Sequence, residues 1–115
     1  MQNNEQKFVE LLSQLRDRTR ENKVKWSPSI HANVVQASFP HHTVQIEVQP
    51  YPLKARYLLR ILNGEGTLIE EMKDSQLESS FPDSRQILDE LFVLARRQAF
   101  GVDQAIDELV EFLKR

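Results

Sequence analysis

YLLRILNGEG, Tyr57 to Gly66, decides how this chain is read. Side chains alternate across a strand. Tyr57, Leu59 and Ile61 therefore fall on one face, and Leu58 and Leu62 on the other. The run is too apolar for a strand with one wet face. Asn63-Gly64 ends it with a hairpin signal, because both residues tolerate positive φ. A fourth strand is expected at 67–72, so residues 55–62 and 67–72 form one hairpin.

A second hairpin precedes it. TVQIEVQ, residues 43–49, alternates Val44, Ile46 and Val48 against Thr43, Gln45, Glu47 and Gln49, the pattern of a strand with one buried face. HANVVQASF, residues 31–39, reads as its partner, with Phe39-Pro40-His41-His42 as the loop. Loops of two or four residues give the same parity, so Val35, Ala37 and Phe39 share a face with Val44, Ile46 and Val48. Gln49-Pro50-Tyr51-Pro52-Leu53 is a stiff connection between the hairpins, since each proline fixes its own φ.

Helical periodicity flanks this sheet. Phe8, Leu11, Leu12 and Leu15 repeat at i, i+3, i+4 and i+7, which predicts a helix over 5–21. Asn3 or Asn4 can cap it, and Asn22 is a left-handed stop. Trp26 precedes Ser27-Pro28-Ser29, read as a turn-like break, and belongs to the core. Residues 73–82 read as a polar linker. Pro82 and Asp83-Ser84 then open a helix striped with Ile87, Leu88, Leu91, Phe92, Ala95 and Ala99. The stripe runs on in phase through Val102, Ile106, Leu109 and Leu113. We expect Gly101 to break it, with Asp103 capping a second helix; one continuous helix is the alternative.

The fold class is therefore α+β, in one domain spanning 1–115. An N-terminal helix precedes a three- to four-stranded antiparallel sheet of two hairpins and one or two C-terminal helices. At 115 residues the chain has room for one core and needs neither disulfide nor metal to fold. It has no cysteine, which excludes thiolate zinc sites and cysteine nucleophiles and fits a reducing compartment. MQNNEQK does not read as a secretory leader, and no stretch approaches the roughly 18 apolar residues of a membrane span. The cytoplasm is the expected location.

Net charge is −2, which weighs against general nucleic-acid binding. The charge is uneven, however. Residues 16–60 hold eight Lys and Arg against three acids, and residues 65–90 hold eight acids against two bases. Solvated faces explain this; the sharper reading is a basic surface that steers an acidic partner.

Chemistry is sparse. His41 and His42 are adjacent and His31 is distant, so no metal-ligand pattern emerges. Gly64-Glu65-Gly66 lacks the Lys-Ser/Thr of a phosphate loop, and no GxSxG, HExxH or GxGxxG occurs. Glu70-Glu71 and Asp89-Glu90 read as solvated pairs rather than as catalytic carboxylates. No catalytic residue and no cofactor are expected; an enzyme would need His31, His41 or His42 in a pocket with a carboxylate.

From Asp89, DELFVLARRQAFGVDQAIDELVEFL resembles the closing helices of small bacterial domains of uncharacterised function. These have a helix, a short antiparallel sheet with a Tyr-x-Leu-x-Ile hairpin, here Tyr57, Leu59 and Ile61, and C-terminal helices. The resemblance covers about half the chain and implies an architecture but no activity.

Two interaction readings follow. If Val35, Ile46, Leu59 and Ile61 meet helices, then Val34, Leu58, Leu62 and Ile69 fall on the outer side, with Arg60 among them. That side is covered either by one of the chain's own helices or by another protein, a copy of itself included. Leu58, Arg60, Leu62 and Ile69 are the expected contact set of a non-enzymatic interaction or regulatory module. The alternative is nucleic-acid binding through Arg16, Arg20, Lys23, Lys25 and Trp26, a basic strip with a stacking aromatic.

Overall fold

The computed structural model describes residues 4–49 and 56–115. Helix α1 (Asn4–Arg20) is followed by strands β1 (Ser27–Pro28), β2 (Val34–Ser38), β3 (His42–Val48), β4 (Tyr57–Asn63) and β5 (Leu68–Lys73). Helices α2 (Asp74–Glu78), α3 (Ser84–Ala99) and α4 (Val102–Leu113) close the chain. The capping side chains expected at Asn3 or Asn4, the connection through Pro50, Tyr51, Pro52 and Leu53, and Lys54 lie outside the described residues.

The sheet is an antiparallel meander in the order β1-β2-β3-β4-β5, so the α+β class stands with one strand more than expected. The extra strand is β1, at the residues read as a break. Pro28 lies opposite Val35 and Ser27 opposite Gln36. A proline gives no ladder N–H, so it is tolerated at a sheet edge, and the proline that signalled a break became an edge strand.

Strand pairing follows the expected parity. Val35 pairs with Ile46, Ala37 with Val44, and Ile46 with Leu59, placing their side chains on one face. Leu12, Leu88, Leu91 and Leu77 pack onto that face from α1, α3 and α2. Trp26 joins the same core, its indole N–H donating to Thr19 Oγ1 at 2.9 Å. Helices α1, α2 and α3 thus share one side of the sheet. The buried outer residues Val34 and Leu58 are not part of this core.

Local chemistry sets the boundaries. Helix α1 stops at Asn22, at φ 59°, with the Lys23 N–H donating to the Arg18 carbonyl and the Asn22 N–H to that of Thr19. This paired closure needs one left-handed residue, which asparagine tolerates. The β4–β5 turn uses a different device from the one expected. Its positive φ, 85°, falls at Gly66 rather than at Asn63 or Gly64. Asn63 Oδ1 accepts from the N–H groups of Glu65 and Thr67, both at 3.0 Å, and holds the turn.

The polar linker is also corrected. Its start folds as α2, where the Asp74 carboxylate is buried and accepts from the Arg56 N–H at 3.0 and 3.1 Å. Leu77 of the same helix is fully buried. Neither Asp83 nor Ser84 caps α3 by its side chain: Asp83 already has helical φ and ψ, and Ser84 lies buried in the first turn. Gly101 does break the C-terminal stripe, at φ 58°, and itself occupies the cap position of α4. Asp103 lies inside the first turn and pairs with Arg97.

Tyr57 ties the sheet to α3. Its hydroxyl donates to Asp89 at 2.7 Å, and its ring lies 5.5 Å from that of Phe92. Burial first, then the Asp89 hydrogen bond, pushes the phenol well above its ordinary value.

Two measurements check this packing. Leu59→Ala deletes a buried side chain at the sheet centre and should lower the unfolding free energy by about 2–5 kcal/mol in urea titration. The raised Tyr57 pKa adds stability that is complete below the unfolded value of about 10 and is lost as pH rises toward the native value. Urea titrations at neutral and strongly alkaline pH should therefore show the advantage of wild type over Tyr57→Phe shrinking at high pH. An unchanged advantage would contradict the assignment.

Candidate functional site

The structure separates the expected contact set. Leu58 is only 8% exposed, and Leu62 is half-buried. Arg60 is held on both sides, to Glu47 at 2.8 Å and to Glu71 at 2.9 Å, bridging β3, β4 and β5. Burial opposes its charge, but the hydrogen bonds to Glu47 and Glu71 outweigh that and hold its pKa above the usual arginine value.

Ile69 is on the other side. The β4–β5 ladder pairs Ile61 with Glu70 and Leu62 with Leu68, leaving Ile69 as an extra residue in β5. That bulge slips the alternation by one. Ile69 therefore lines a groove with Ile61 and Val44 on the helix-bearing face, while Leu68 takes the place beside Leu62.

Three surfaces are left to examine. The first is a hollow of about 870 Å³ on the outer face, where His31, Asn33, Gln36, Gln45, Glu47 and Arg60 meet. It brings His31 to the same depression as Glu47, but the carboxylate is already bound to Arg60. His41 lies in the exposed β2–β3 loop, and His42 lines a different groove. Among the described residues no group of three or more His, Cys, Asp or Glu is arranged to hold a metal.

The second surface is that other groove, of about 910 Å³, between α1 and the hairpin ends of the sheet. Leu11, Leu15, Val24, Val44, Ile61 and Ile69 make it apolar. Lys7, Arg18 and His42 stand at its margin, and no carboxylate lines it. Leu11 belongs to the stripe read in the sequence; the groove arises because α1 does not cover the sheet as far as Ile69.

The third is α4. None of its residues is buried. Ile106, Leu109, Val110, Phe112 and Leu113 are all largely exposed, Leu109 at 60% and Leu113 at 78%. At 100° per residue its apolar side chains cover an arc of about 160°. Asp103, Asp107, Glu108 and Glu111 occupy the remainder, and the helix has no Lys or Arg. The molecule measures 61 × 31 × 27 Å, and a 12-residue helix is about 18 Å long, so α4 projecting from the body accounts for much of that elongation. The sequence displayed this stripe plainly; that none of the described residues covers it was the missing information.

The nucleic-acid strip is dispersed. Trp26 is buried and offers no stacking face. Arg16 pairs with Asp17, Arg20 with Glu90, and Lys23 with Glu21; Lys25 is exposed. Among the described residues no helix is long and apolar enough to cross a membrane.

Comparison with protein-family models, with curated proteins and with solved structures finds no match. These comparisons leave the resemblance noted from Asp89 onward and at the Tyr57, Leu59 and Ile61 hairpin without a tested counterpart, and it assigns no residue a role.

Leu58→Glu tests whether the outer face is a docking surface. It would bring a carboxylate opposite Glu47 and Lys73 while removing a buried leucine. We expect a loss of about 2–4 kcal/mol in urea titration, with sedimentation unchanged. A variant of native stability with altered association would restore this face as the contact surface.

Proposed function

We propose that this protein is a non-enzymatic interaction module that binds another protein chain through the apolar face of α4. The observation that carries the reading is a helix with five large apolar side chains in water and no buried residue. An isolated helix of this length is marginal in water and gains stability by burying its apolar face. Burial of the exposed parts of Ile106, Leu109 and Leu113 would contribute up to about 1.5–3 kcal/mol each, a favourable term set against the entropic cost of association.

The charge pattern favours a protein over a membrane. Helices that lie on lipid carry Lys and Arg on the polar face, whereas α4 carries four acids there. Nucleic acid is disfavoured for the same reason, and because Trp26 is built into the core. We place the module in the cytoplasm, in keeping with its lack of cysteine.

The test is the double variant Leu109→Glu, Leu113→Glu in the full chain. Both positions are exposed, and surface changes usually cost within about 0.5 kcal/mol. In dilute solution, where no partner helix is bound, the two changes together should cost at most about 1 kcal/mol, so the melting temperature should stay within about 4–8 °C of wild type. A fall as large as that caused by truncating a core leucine would mean that α4 packs on its own domain, and the reading would be overturned.

A further inference from the structure

Resting on that reading, we propose that the partner is a second copy of this chain: α4 of one copy fills the groove beside α1 of the other, and the exchange is reciprocal. Two unfilled features of the structure match in apolar character and in charge. One is a wide apolar helix face, the other an apolar groove.

Their margins have opposite charge. The polar side of α4 holds Asp103, Asp107, Glu108 and Glu111 without a base. Lys7, Arg18 and His42 line the groove and no carboxylate does; Glu21, bound to Arg18, and Glu70, opposite Ile61, lie just outside the lining. Arg18 already contacts Glu21 at 2.9 Å, but a guanidinium has five N–H donors and can accept a second carboxylate. Docking two α4 helices on each other would instead place acids against acids. Pairing helix with groove removes that repulsion and covers both apolar surfaces at once. Because each copy has one helix and one groove, a reciprocal exchange closes as a twofold dimer and grows no further.

A charge swap tests this directly by sedimentation. One variant reverses the groove, Lys7→Glu with Arg18→Glu; another reverses the helix, Asp103→Lys, Asp107→Lys, Glu108→Lys and Glu111→Lys. Each alone sets like charge against like charge in both contacts, so each should dimerise at least roughly tenfold more weakly than wild type. Mixed in equal amounts, the two match at both contacts and should regain a dimer of wild-type affinity. The lack of native cysteine allows a second readout: chains with Ile69→Cys and chains with Leu109→Cys should form a disulfide between copies under oxidising conditions.

A wild-type chain that stays monomeric at high concentration would overturn the dimer. So would a dimer indifferent to both charge reversals, or a disulfide formed only within one chain that carries both cysteines. A monomer whose Leu109→Glu, Leu113→Glu variant keeps native stability would leave the docking role of α4 standing, with a different protein as partner. A monomer destabilised by that variant would remove both.

Discussion

The structure depends on one face of one sheet. Val35, Ile46 and Leu59 lie side by side across β2, β3 and β4, and all three are buried. They fix which way every other strand residue points, because a slip of one position would turn the whole set outward. Helices α1, α2 and α3 all pack on that side. This leaves the other side to be closed by short-range means: the Glu47–Arg60–Glu71 bridge across three strands, and Val34 and Leu58 buried beside it.

Once the sheet is satisfied, α4 is surplus. The core already contains Leu77, Leu88, Leu91 and Ala95 from α2 and α3. Gly101, in the left-handed region, turns the chain away from α3 instead of continuing it. The helix beyond it has a stronger division into apolar and acidic sides than the domain needs for its own folding. The four acids of α4 and the cations that line the groove beside α1 are opposite in sign.

Much of the fold was legible because the signals were local. The alternation of Val44, Ile46 and Val48 gave the buried face, and Asn22 and Gly101 ended their helices where left-handed residues were needed. The failures involve information from elsewhere in the chain. Ser27-Pro28 becomes a strand only because β2 lies alongside. Helix α2 depends on a buried carboxylate that finds the Arg56 amide. Ile69 changes face through a bulge that hydrophobic pattern does not encode. For the site, the stripe of α4 was readable residue by residue, but its lack of a cover is a property of the assembled molecule. The groove, made from α1 and three strands, had no sequence signal at all.

Helix α4 is no part of the chain's own core, and amide hydrogen exchange in dilute solution tests this most directly. Central-strand amides, such as those of Ile46 and Leu59, should open only with global unfolding, whereas residues 102–113 should exchange orders of magnitude faster. Protection of 102–113 equal to that of β3 and β4 in a dilute monomer would contradict the account.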